Sequence, residues 1–124
     1  MSKVRAIRGA TTANSNTKDA IEVATKEMLI SLVEKNNLHS DDIISAFFTT
    51  TSDLNTQFPA VSARKIGWQD VALMCAHEML IDDAQEKCIR VMVHVNSNKR
   101  QDEMINVYLK DAINLRKRGF EEQG

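Results

Sequence analysis

The chain has 124 residues, 43% of them hydrophobic and 27% charged, with a formal net charge of -1 at pH 7. This is the balance of a folded chain with one core, which excludes a disordered polyelectrolyte, and the near-zero charge excludes a global basic field for nucleic acid or an anionic membrane. The length leaves no room for a separate cofactor-binding domain, so residues 1–124 read as one domain.

The opening segment MSKVRAIRGATT mixes arginines with its apolar residues and has no continuous hydrophobic stretch, so neither a secretory signal nor a membrane span is expected. From Val4 to Ala10 the pattern predicts a short strand that opens toward a loop at Gly9, with Arg8 near its end. Thr17 or Asn16 can cap a helix beginning at Lys18, in which Ile21, Ala24, Met28, Leu29, Leu32 and Val33 recur at the three-and-four spacing of one apolar face. Glu22 and Lys26 fall on its exposed side, and the helix is expected to end near Asn36 and Asn37.

The run from Ile43 to Phe48, followed by Thr49, Thr50 and Thr51, predicts a buried strand. A polar loop then leads to Pro59, which suits the first turn of a short helix through Ala60, Ala63 and Ile66, stopped by Gly67. Val71 to Ala76 reads as a strand. Cys88 to Val95 reads as another, and its alternation places Arg90 opposite the Ile and Val side chains. Gln101 to Tyr108 suggests a short helix, Ala112 to Leu115 a return to the sheet, and Arg116 to Gly124 a charged, mobile tail. The expected class is α+β, a mixed β-sheet with two main helices.

Cys75, His77 and Glu78 are too few for a zinc site, and the string from His77 to Ile81 lacks the second histidine of a helical metal motif, so no metal is expected. No glycine-rich phosphate loop or dinucleotide fingerprint is present, and no cofactor is implied. Strand alternation allows Cys75 and His77 to share a face as nucleophile and base, but a buried cysteine beside a satisfied histidine is the simpler reading. Cys75 and Cys88 do not make a disulfide framework, which suits a reducing, cytoplasmic setting. Arg8 and Arg90 stand in apolar, strand-like segments, where a guanidinium must find an anion, either a protein carboxylate such as Glu78 or a ligand. Composition and periodicity leave that choice open.

RAIRGATT (Arg5 to Thr12), FPA (Phe58 to Ala60), GWQ (Gly67 to Gln69), CIRVMV (Cys88 to Val93) and VYL (Val107 to Leu109) together resemble the monofunctional, barrel-type chorismate mutases of bacteria. The resemblance runs through Arg116, with RGATT and CIRVM as its specific signature. It implies a pseudo α/β barrel assembled as a homotrimer, with active sites between neighbouring subunits and no cofactor. The implied reaction is the rearrangement of chorismate to prephenate in aromatic amino acid biosynthesis.

By the same resemblance Arg90 stabilises the developing negative charge and Glu78 accepts a hydrogen bond from the substrate hydroxyl. Arg8 and Tyr108 bind carboxylate, Leu73, Met74 and Cys75 form a wall, and Phe58 and Ala60 come from the neighbouring subunit. Arg64, Leu115 and Arg116 surround the cleft entrance. Val61 stands where the family often has lysine, and Met74 where it has a small polar residue. A noncatalytic module holding a small carboxylate metabolite in the same cleft is the competing expectation, and neither nucleic acid nor membrane is an expected partner.

Overall fold

The computed structural model describes residues 2–82 and 84–115. Its elements in chain order are strand β1 (Lys3–Thr12), helix α1 (Lys18–Lys35), strand β2 (Ile43–Thr50), helix α2 (Ala60–Lys65) and strands β3 (Ala72–His77), β4 (Cys88–Ser97) and β5 (Val107–Tyr108). Short 3₁₀ turns occupy Ser40–Asp42, Gln101–Glu103 and Lys110–Ala112. The strands form one five-stranded sheet in the order β3-β2-β4-β1-β5. β4 runs antiparallel to β1 and β2, while β5 lies parallel to β1 and β3 parallel to β2. This is the expected mixed α+β architecture.

α1 starts where Thr17 accepts a hydrogen bond from the Ala20 backbone N–H at 3.1 Å, satisfying one of the donors that a helix start leaves unpaired. Its buried residues, Ile21, Ala24, Thr25, Met28, Leu29 and Leu32, follow the predicted apolar face. Glu22, expected on the exposed side, pairs with Lys65, and its backbone carbonyl accepts from Ser62 Oγ at 3.0 Å, which ties α1 to α2. The helix layer covers one side of the sheet, against Ile7, Ala46, Phe48, Val91, Val93 and Val95. Each of the larger side chains, the Ile, Phe and Val, adds roughly 1.5–3 kcal/mol when fully buried. Gly9 makes the close approach possible, because a Cβ there would meet Val91 Cγ1 at 3.1 Å and side-chain atoms of Leu32 and Met28 at 3.3 Å. Among the described residues the other side of the sheet has no helix over it, and Phe47 is 41%, Met74 61% and Met92 40% exposed.

Two sequence expectations fail at the C-terminal end. Gln101 to Tyr108 is not a helix: after the turn at Gln101–Glu103 the chain extends, and Val107–Tyr108 pair with Gly9–Ala10 as β5. The reason is non-local. Asn36, buried at the end of α1, accepts from the Ile105 N–H at 2.8 Å and donates to the Ile105 carbonyl at 2.9 Å, while Asn106 Oδ1 takes the Arg8 N–H at 2.8 Å. The Ile105 backbone groups that a local helix would use are already satisfied. Nor does Ala112 to Leu115 rejoin the sheet: Ala112 N–H bonds to Leu109 O at 3.0 Å in a turn, and the chain is helical from Ile113 to Leu115. The tail beginning at Arg116 lies outside the described residues. Among the described residues no helix is long and apolar enough to cross a membrane.

Candidate active site

The strand register lines up Tyr108, Ala10, Arg90, Thr49 and Ala76 in one row across β5, β1, β4, β2 and β3. Laterally paired residues project to the same side of a sheet, so Tyr108, Arg90 and Thr49 share the open face. Arg8 belongs to the next row on that face, with Met92, Phe47 and Met74. Glu78 follows β3, its N–H bonded to Thr50 O at 2.8 Å, which brings its side chain back over the Arg90 row.

Glu78 and Arg90 form a two-pronged pair: Arg90 Nε donates to Glu78 Oε2 at 2.7 Å, and Nη2 donates to Oε1. Thr49 Oγ1 donates to the same Oε2. The Arg90 hydrogen bond holds the Glu78 carboxyl below the ordinary carboxylate range; burial opposes this and the Thr49 hydroxyl adds to it. The pair in turn raises the Arg90 guanidinium above its usual value, so both groups are charged at neutral pH. The side chain of Glu78 is 17% exposed and that of Arg90 49%, leaving the cation reachable from solvent. Arg8 is exposed, its backbone held by Asn106, and it makes no ion pair among the described residues. Tyr108 is half-buried beside this cationic row.

The remaining candidate residues gather elsewhere. Leu73 and Cys75 point to the helix side and pack against the core, opposite Met74. The Cys75 thiol is pushed up by burial, opposed by the nearby Ala60 N–H and the Arg64 guanidinium, which places these α2 residues beside it. A cleft of about 540 Å³ opens there, lined among others by Lys18, Gln57, Phe58, Cys75 and His77. Phe58 and Arg64 are exposed, and Ala60 is buried. Cys75 and His77 do share this cleft, yet no hydrogen bond joins them among the described residues, and the thiol stays protonated. Leu115 is half-buried at the end of the described chain, and Arg116 lies beyond it.

The candidate residues therefore fall into two groups on opposite sides of the sheet. Arg8, Glu78, Arg90 and Tyr108 form one; Phe58, Ala60, Arg64, Leu73 and Cys75 form the other. Sequence reasoning left out Thr49 and Asn106, which touch the site's members without belonging to the signature segments. Alternation from Phe47 through Thr49 was the available signal for Thr49, but nothing local showed that a carboxylate would come to it.

A held guanidinium, a second cation and a phenol share one open sheet face, an arrangement with the charge and donors to hold an anion. Among the described residues no three His, Cys, Asp or Glu side chains gather to hold a metal ion. The family model described as chorismate mutase type I matches residues 4–118. Chorismate mutase AroH of Bacillus subtilis is 38% identical over 114 residues, covering 91% of this chain and 90% of its own. The AroH protein of Thermus thermophilus is 40% identical over 114 residues, covering 91% and 93%. A solved chorismate mutase from Clostridium thermocellum superposes with a TM-score of 0.86 at 50% identity, covering 88% of this chain and 97% of that one. The chain belongs to the type I chorismate mutase family and is an enzyme of that family.

Proposed function

We propose that this chain rearranges chorismate to prephenate in a cleft completed between subunits of a homotrimer, within a single cytoplasmic domain. The observation that carries the reading is the Arg90 guanidinium, fixed along one edge by Glu78 on an otherwise open sheet face. The reaction breaks a carbon–oxygen bond and forms a carbon–carbon bond within one molecule, so it needs no nucleophile, no proton transfer and no cofactor. An enzyme can accelerate it by holding the compact conformer and by placing fixed positive charge where the ether oxygen gains electron density.

Arg90 is that charge. Its edge away from Glu78 reaches the ether oxygen and one carboxylate of the substrate. Glu78 orients Arg90 and accepts from the substrate hydroxyl, while Arg8 and Tyr108 bind the carboxylate end. Leu73, Met74 and Cys75 form the wall adjoining Glu78, Phe58 and Ala60 supply the facing apolar wall from the neighbouring subunit, and Arg64, on the same helix as Ala60, lies with Leu115 and Arg116 around the cleft entrance. Two groups of candidate residues on opposite sides of the sheet support this arrangement, as does the exposed apolar surface of Phe47, Met74 and Met92, which an assembled trimer would cover.

The test is the loss of chorismate absorbance with purified protein and no added cofactor, with prephenate identified as product and the assembly sized in the same buffer. Conversion by a trimer supports the reading. Saturable thermal stabilisation by chorismate without conversion would instead identify a binding module.

A further inference from the structure

We propose that Thr49 is a positioning residue for this reaction, acting through Glu78; the inference rests on the reading of Arg90 and Glu78 given above. Glu78 follows the end of β3, and both it and Arg90 are long side chains with several rotatable bonds. A two-pronged pair fixes the carboxylate and the guanidinium relative to each other, but not relative to the sheet.

The third contact supplies that link. Thr49 sits in β2, hydrogen-bonded to β3 on one side and β4 on the other, and its branched side chain has few rotamers. Its hydroxyl donates to Glu78 Oε2, the oxygen that also accepts Arg90 Nε at 2.7 Å. Thr49 and Arg90 are moreover register partners, so the hydroxyl rises beside the base of the arginine side chain. Two donors from two strands, Thr49 in β2 and Arg90 in β4, thereby lock one carboxylate oxygen, and the carboxylate sets the direction of the free guanidinium edge.

Of the charged and titratable groups, Arg90 and Cys88 from β4 interact with this carboxylate, Tyr108 from β5 interacts with Arg90 and Asp53 in the loop after β2 with Cys88, while Arg8 on β1 stands one row away and His77 precedes Glu78 at the end of β3. Only Arg90 and Thr49 donate a side-chain hydrogen bond to it among the described residues.

The experiment compares T49V and T49S with the wild-type trimer. Valine keeps the shape and strand preference of threonine but lacks the hydroxyl, whereas serine retains it. T49V is expected to lose kcat/KM on the order of 10- to 100-fold, the range implied by a lost hydrogen bond to a charged group, with the loss mainly in kcat. Its acid limb should move to higher pH, because the ionised carboxylate has lost a donor. T49S should recover both properties. Wild-type kcat/KM together with a wild-type acid limb in a folded T49V overturns the proposal. If the wild-type trimer does not turn over chorismate, the functional reading falls, and a ¹³C titration of the Glu78 carboxyl then decides on Thr49 alone: an upward move in T49V supports the contact, and an unmoved titration overturns it.

Discussion

Glu78 occupies one edge of the Arg90 guanidinium, taking Nε at 2.7 Å and Nη2 through its second oxygen, so the opposite edge of Arg90 faces the open side of the sheet. The pair is 12 residues apart in sequence and is brought together because β3, which Glu78 follows, and β4, which carries Arg90, both pair with β2. Such an arrangement is useful only if the carboxylate is ionised, and that requirement can be read out by pH.

Because the Arg90 hydrogen bond lowers the folded Glu78 value below 4.5, the stability it adds is complete above that pH and is lost as pH falls through the folded value. Urea midpoints of wild type and Glu78→Gln should therefore differ at neutral pH and converge in acid. Glu78→Gln should also lower kcat/KM on the order of 10-fold or more, since a charge-assisted hydrogen bond is lost. A stability gap that stays constant down to strong acid would mean that the pair does not form in solution.

Gly9→Ala should destabilise the fold by about 1–3 kcal/mol, the usual cost of overpacking a filled core. The added methyl meets Val91 at 3.1 Å and two α1 side chains at 3.3 Å, and relief requires these packed side chains to give by a few tenths of an ångström or β1 to move off the helix. Arg8 and the β5 pairing would move with it. Urea unfolding checks this; an unchanged midpoint would show that the strand and helix can part without cost.

Mixed assemblies test whether the two groups of candidate residues meet between subunits. Arg90→Ala and Arg64→Ala proteins should each be impaired alone. Refolded together in equal amounts, they should regain activity at about a quarter of the sites by random pairing in a closed ring. Activity no greater than the mean of the two parents would place the two groups in separate functions.

The buried Cys88 thiol is pushed up to about 11, with desolvation as the main cause. Iodoacetamide at pH 8 should leave Cys88 unmodified in the native protein and label it in urea, as peptide mass spectrometry can establish. Rapid native labelling would mean that the strand opens easily at this point.

Much of the framework was legible because it is periodic. The apolar stripe of α1 and the alternation of β4 each follow from side-chain direction alone, and the latter correctly set Arg90 against the Ile and Val face. What escaped was carried by contacts remote in sequence. The segment from Gln101 to Tyr108 has a locally helical look, but Asn36 and Asn106 redirect its backbone into pairing beside β1. The anion beside Arg90 was open between protein and ligand. The fold supplies Glu78 for one edge, and the proposed function assigns the other edge to the substrate. Thr49 was invisible as a site residue, since its role depends on a carboxylate delivered by the turn after β3.

The most direct measurement is chorismate turnover by wild type, Arg90→Ala and Arg90→Lys, each verified as a folded assembly of unchanged size. Removing a preorganised donor costs about 3–4 kcal/mol, so Arg90→Ala should lose on the order of 10²–10³ in kcat or more. Arg90→Lys should also be poor, because an ammonium keeps the charge without the planar fork that serves Glu78 and substrate together. Wild-type turnover in either variant would contradict the role of Arg90 as the charge that stabilises the rearrangement.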